Sequence, residues 1–206
     1  VFFLAVPAVV IILSASHEIV GILLQYGKYT AADAEITARL IMIMAIMIIP
    51  HCFSTVGGRL FFVFQETKLI SFCGMTLALL SCPLYYILAD RIGIEGIAVA
   101  YTVTYVGVGF LIYVLLRIRH KGMAFGELYG SMLKLGAAGV AMALACFAVS
   151  SVLSWIPAAS LRLAVISAAG ISAYLAVAHL IGIDELELVM TRLPLVGALF
   201  GRRTEE

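Results

Sequence analysis

Charge is scarce in this sequence, and signatures of enzymatic chemistry are missing. Charged residues make up 12% of the 206 and apolar residues 64%, whereas a soluble domain carries roughly twice that charged share. A water-facing surface cannot be covered from such a supply, so lipid is the expected solvent. Net charge is only +1, without the basic footprint of a nucleic-acid binder, and no nucleic-acid partner is expected. There is no GxSxG, HExxH or Walker loop, no pair of intramembrane carboxylates, and no nucleophile spaced from a base. These absences argue against an enzyme, against ATP-driven transport within the chain, and against a bound cofactor. The four cysteines (Cys52, Cys73, Cys82 and Cys146) lie in apolar runs without CxxC or ligand spacing. They read as small packing residues rather than as disulfides or metal ligands. Alternation at period two is also absent, which argues against a membrane barrel.

What remains is a series of long apolar runs. A spanning helix needs about 20 apolar residues, and membrane backbone must satisfy its own hydrogen bonds. Six candidates follow: Val1 to Ser16, Leu40 to Phe64, Leu69 to Ala89, Gly93 to Leu116, Met132 to Ser154 and Leu161 to Ile183. The fold class expected is an all-α integral membrane protein of about six transmembrane helices. The first run, VFFLAVPAVVIILSAS, lacks a basic n-region and a small-residue cleavage motif. It reads as a transmembrane helix entered partway, not as a signal peptide, and the chain is expected to be a fragment. The segment that follows begins amphipathic, as if lying at the interface. Thr30 is placed to cap the next helix, with Asp33 supplying the acid at its third position. Trp155, in the turn SWIPAAS, suits a membrane interface.

Orientation follows from the cations. With the first helix starting in the cytoplasm, cytoplasmic segments hold Lys68, Arg117, Arg119, Lys121, Lys134, Arg192, Arg202 and Arg203. External segments hold Lys28, Arg39, Arg91 and Arg162. This asymmetry obeys the positive-inside rule and puts the C-terminus in the cytoplasm. The tail begins with an Asp184 cap, is interrupted at Pro194, and reads as a segment resting on the inner surface.

Ionisable groups inside a span are costly and are functional candidates by default. Pro50 is expected to break the second span near its middle, and His51, Thr55 and Arg59 follow at four-residue spacing on one drifting face. Such a stripe suits a water-filled cavity, with Arg59 available to a phosphate. Arg59 reads equally well as a snorkelling interfacial side chain, and Gly57 and Gly58 as aids to close packing. His51 taken alone reads more readily as structural. Glu66, Thr67 and Lys68 form a cytoplasmic turn, either a hinge or a plain solvated turn. His17 and Glu18 read as a solvated interfacial pair, His120 as part of a solvated basic loop and His179 as a packing histidine; Glu95 is given no special role. Small residues recur four apart at Gly96 and Ala100, Ala137 and Ala141, and Gly139 and Ala143, as helix packing requires. Pro7, Pro50 and Pro83 can each kink a helix, which suits alternating access and also occurs in static bundles.

The stretch from Val6 to about Arg119 resembles the MurJ (MviN) family of lipid II flippases, within the multidrug/oligosaccharidyl-lipid/polysaccharide exporter superfamily. Val6-Pro7-Ala8 is similar to the family's proline-bearing helix start. Ile22 to Thr30 (ILLQYGKYT), with Asp33-Ala34 and Thr37-Ala38, resembles "LLF-x-x-G-x-F-T-x-x-D-A-x-x-T-A". Ile49-Pro50 matches a proline in the following helix. Arg59 to Lys68 (RLFFVFQETK) resembles "R-x-F-Y-A-x-x-D-T-K", and Ile92 to Ala100 (IGIEGIAVA) resembles "L-G-x-x-G-L-A-L-A". Glu66 replaces the usual Asp and Phe62 the usual Tyr. Where some members hold a sodium site of Asn, acid and Thr, this chain has Ser81, Tyr85 and Tyr101, so sodium coupling by that route is not expected. The tail from Asp184 is more like that of exopolysaccharide and O-antigen flippases.

The resemblance implies the C-terminal part of a two-lobe flippase bundle. Residues 1-120 would be the last four helices of the C-terminal lobe, 121-183 two additional transmembrane helices, and 184-206 a cytoplasmic interfacial tail. The implied function is transport of undecaprenyl-diphosphate-linked peptidoglycan precursor, lipid II, across the bacterial cytoplasmic membrane by alternating access. Its rivals are a flippase for another lipid-linked oligosaccharide (O-antigen or exopolysaccharide), a multidrug antiporter and a non-transporting membrane scaffold. The partners implied are the lipid-linked sugar substrate, membrane lipid and the N-terminal lobe. Arg59, His51 and Thr55 are the candidate cavity or gate residues, with no metal and no catalytic residue.

Overall fold

The computed structural model describes residues 1–24, 29–119, 125–152 and 159–182, and for 125–129 the backbone alone. Trp155, His120, Lys121, Lys28, the Asp184 cap and the interfacial tail with Pro194, Arg192, Arg202 and Arg203 lie outside the described residues. Among the described residues seven helices run in order: α1 (Phe2–Leu24), α2 (Ala31–Ala45), α3 (Ile48–Val63), α4 (Thr67–Ile92), α5 (Ile94–Arg119), α6 (Phe125–Val152) and α7 (Ala159–Ile181). With α2 and α3 counted together, six segments among the described residues are long and apolar enough to cross a membrane. The chain is an all-α, multi-pass membrane protein.

The second span differs in its start and in the place of its break from the one expected over Leu40 to Phe64 with a break at Pro50. It begins at Ala31 and breaks at Ile46–Met47, one turn ahead of Pro50. A proline has no N–H and disfavours helical backbone before it. The chain therefore restarts so that Pro50 falls in the first turn of α3, where no donor is required of it. The Met47 N–H donates three residues back, to the Met44 carbonyl at 3.2 Å, and the His51 N–H restarts the ladder on the Met47 carbonyl at 2.8 Å. The Ile43 carbonyl is thereby freed, and the Thr102 hydroxyl of α5 reaches it at 3.1 Å while also sharing its proton with its own Ala98 carbonyl at 3.0 Å.

α1 uses the same device. Pro7 cannot donate to the Phe3 carbonyl, and the buried Tyr174 hydroxyl of α7 donates to it instead, at 2.9 Å. Backbone freed by proline within a membrane is tolerated where a neighbouring helix supplies the missing partner. The kink in α1 lies elsewhere, at Ala15 (φ −131°, ψ 26°); the segment expected to lie separately at the interface continues α1 as far as Leu24. α2 opens on the expected capping box: the Asp33 N–H donates to Thr30 Oγ1 at 3.3 Å, and the Thr30 N–H to Asp33 Oδ2 at 3.0 Å.

Two apolar cores hold the helices. The larger joins α1, α6 and α7 through Phe3, Leu135, Met142, Cys146, Ile166 and Tyr174. The smaller joins α3 and α5 through Phe61, Ile112 and Leu116. Glycine sets the closest approach in the second: a Cβ on Gly57 would lie 2.5 Å from Ile112 Cγ2, and one on Gly109 3.2 Å from Pro50 Cβ. α4 buries no residue and packs mainly along α5, leaving a gap towards α3.

Candidate functional site

The gap between α3, α4 and α5 is an open cavity of about 230 Å³. His51, Ser54, Thr55 and Gly58 line it from α3, Cys73, Gly74 and Leu77 from α4, and Tyr105, Val108 and Ile112 from α5. Its wall is mostly apolar with a few polar groups, the composition of a ligand pocket. Gly58 and Gly74 face it with nothing within 4 Å of an added Cβ, so the two glycines keep it open.

The geometry of the polar stripe follows from its helical spacing. His51 and Thr55 both line the cavity. Arg59 is exposed one turn beyond Thr55 on α3, outside the cavity lining, and forms no ion pair or hydrogen bond among the described residues. The hydroxyls are turned to their own helix: Ser54 donates to the Pro50 carbonyl at 2.7 Å and Thr55 to the His51 carbonyl at 2.9 Å. Such back-bonding is usual for hydroxyl residues within helices. The hydroxyl oxygens still accept.

Tyr105 is the cavity residue that sequence reasoning missed. Its ring meets that of His51 in a T-shaped contact, centroids 4.8 Å apart and planes at 74°. The Tyr101 hydroxyl donates to that of Tyr105 at 3.3 Å. The available signal was the four-residue spacing of two tyrosines on α5, facing a histidine across two elements.

Glu66 closes the turn between α3 and α4, and Thr67 and Lys68, expected in that turn, open α4. α3 ends in a Schellman motif: the Glu66 N–H donates to the Phe61 carbonyl at 2.9 Å and the Gln65 N–H to the Phe62 carbonyl at 3.1 Å. The motif needs a left-handed residue, usually glycine, and Gln65 occupies it at φ 58°. Glu66 Oε1 pairs with Arg119 Nη1 of α5 at 3.2 Å, and its Oε2 is buried without a partner among the described residues. Thr67 is the first residue of α4, and Lys68 is exposed.

Other expectations are corrected. Glu18 is not half of a solvated pair with His17. It pairs with Arg162 at the start of α7, at 2.6 Å, the two side chains 11% and 29% exposed, while His17 is exposed. His179 is exposed on α7 rather than packed; Ala178 beside it takes the buried position. Glu95 meets Arg39 at 3.8 Å, and Arg39 also pairs with Glu35 at 2.6 Å. Among the described residues no three His, Cys, Asp or Glu side chains gather as a metal site.

The comparisons extend beyond these local contacts. The family described as "Lipid II flippase MurJ" matches residues 1–169, from α1 through the first half of α7. No curated protein matches the chain.

Proposed function

Because this chain belongs to the lipid II flippase MurJ family, we propose that it moves undecaprenyl-diphosphate-linked peptidoglycan precursor across the bacterial cytoplasmic membrane. The observation that carries this reading is the family match over most of the chain. The physical need is plain, since a charged, sugar-bearing head group cannot enter hydrocarbon unaided. Transport proceeds by alternating access, with the polyprenyl tail left in lipid. The broken second span and the open groove beside it support this reading, because a helix in two parts can bend without losing its backbone hydrogen bonds.

In this proposal His51 and Thr55 contribute to the substrate cavity or gate. Arg59, an exposed cation without a protein partner among the described residues, meets the diphosphate. A guanidinium can hold two phosphate oxygens at once. Glu66, Thr67 and Lys68 serve as the hinge on the cytoplasmic side, and the C-terminus is cytoplasmic. Residues 1-120 complete the transport lobe, 121-183 are additional helices and 184-206 an interfacial tail.

The test is complementation in cells depleted of their own lipid II flippase, with this chain supplied in its full-length parent protein and the membrane abundance of each variant measured. Expected is rescue by the unaltered protein and a loss of at least tenfold in plating efficiency for Arg59→Ala. Failure of a well-expressed unaltered protein to rescue would remove lipid II as the substrate and favour another lipid-linked oligosaccharide. Rescue by Arg59→Ala would remove Arg59 from the mechanism.

A further inference from the structure

α4 is held differently at its two ends. At one end it turns into α5 through Gly93, whose backbone is left-handed at φ 70°. A Cβ on Gly96 of α5 would run into the Leu88 carbonyl of α4, so the two backbones are in close contact there. At the Glu66 end the contacts are light. Leu69 and Ile70 are only partly buried against the Phe61, Ile112 and Leu116 core. An ion pair, Glu66 Oε1 with Arg119 Nη1 at 3.2 Å, ties the start of α4 to the end of α5. Along its whole length α4 buries no residue.

We propose that α4 is a lid over the groove between α3, α4 and α5, swinging about Gly93 towards α3, and that the Glu66–Arg119 pair is the latch that keeps it in the open position of this structure. The lever is long. Gly74 lies 19 residues from Gly93, about 28 Å at the helical rise, so a swing of about 10° carries it roughly 5 Å. The surfaces that would meet are shaped for contact. α3 presents Ser54 and Gly58, four residues apart, and α4 presents Cys73 and Gly74. Small residues let membrane helices approach closely, yet a Cβ on Gly58 or Gly74 meets nothing within 4 Å. The described lining contains no carboxylate, lysine or arginine, so closure joins apolar walls without burying such a charge.

The latch is poised to release. Only one Glu66 oxygen is paired; Oε2 is buried without a partner among the described residues, and an unsatisfied buried acceptor opposes the arrangement. Arg119 is 54% exposed, so water and salt screen the pair. Gln65 beside it stands at φ 58°, which a residue with a Cβ disfavours, and the turn takes up the swing as it relaxes. That last step rests on the hinge reading of the turn; the lid itself rests on helix contacts and not on the lipid carried.

The test is disulfide formation across the groove in the full-length parent protein, with Gly58→Cys and Gly74→Cys introduced after every other cysteine is replaced by alanine. Iodine is the oxidant, two thiols giving one disulfide as iodine becomes iodide. A disulfide needs Cα atoms about 4.4–6.8 Å apart, so its rate reports how often α4 closes on α3. Expected is a rate about threefold higher or more with Arg119→Gln, the size set by loss of a screened pair, and an unchanged rate with Arg119→Lys, which keeps the charge. Glu66→Gln opens the same latch from the other side and decides the matter where Arg119→Gln fails to fold. Equal or slower disulfide formation in the unlatched variants overturns the proposal, even if their thermal midpoints fall, because the pair would then only stabilise the bundle. Such a result leaves the flippase reading standing, and failed complementation leaves the lid standing.

Discussion

Gly57 and Gly58 are adjacent, yet a methyl group added at each meets different surroundings. At Gly57 it would press on Ile112 Cγ2 at 2.5 Å, an atom fixed close to the α5 backbone; at Gly58 it would meet nothing within 4 Å. Overpacking a tight contact costs about 1–3 kcal/mol. Gly57→Ala is accordingly expected to lower the thermal midpoint of the protein in detergent, and Gly58→Ala to leave it within error. Equal midpoints would contradict the α3–α5 approach described. The sequence marked both glycines as aids to packing. It could not separate them, because the two lie 100° apart around one helix and only the position of a second helix decides which one is pressed. The same limit applies to Tyr105, whose role depends on a partner two helices away, and to His179, whose rotation on α7 places it outward. Polar groups whose partners are local were legible: Thr30 and Asp33, three residues apart, form the capping box read from the sequence.

At the scale of the element, the repeated theme is freed backbone met by a neighbour's hydroxyl. The Phe3 carbonyl is taken by Tyr174 and the Ile43 carbonyl by Thr102. Interhelical hydrogen bonds in membranes contribute about 0.6 kcal/mol on average and up to about 1.7. Tyr174→Phe and Thr102→Val are each expected to destabilise by about that amount in unfolding titrations, with Thr102→Val also increasing hydrogen exchange around Met44 to Met47. No change in exchange there would mean that Thr102 does not restrain the break. The α3–α4 turn supplies a converse case. Gln65 adopts a left-handed conformation that costs a non-glycine residue roughly 1 kcal/mol, so Gln65→Gly is expected to raise the thermal midpoint. If glycine lowers it instead, the Schellman assignment is wrong. Hydropathy located the spans, and Pro50 marked a break in the second, which falls one turn ahead of it. A proline disturbs the turn before it, and where the chain restarts depends on which freed carbonyl finds a partner.

Across the whole molecule, α1 connects the two cores and is tied to α7 at both ends. Tyr174 bonds the Phe3 carbonyl near its start, and the Glu18–Arg162 pair joins it to α7 144 residues away in sequence. Composition cannot reveal such a pair; two charges near separate helix ends read as solvated until the ends are known to meet. Glu18 is 11% exposed and Arg162 29%, so loss of either leaves its partner poorly hydrated. Glu18→Gln and Arg162→Gln are expected to lower stability singly, and the double variant to cost less than the sum of the two, with coupling of about 1 kcal/mol. Additive losses would show that the ends of α1 and α7 are not coupled. The measurement closest to the central claim is the leaflet position of lipid II itself. In cells depleted of their own flippase, lipid II should become accessible to an externally added lipid II-cleaving enzyme when this protein is supplied, and less so with Arg59→Ala. Lipid II that stays protected on the inner leaflet, despite abundant protein in the membrane, would contradict the assignment.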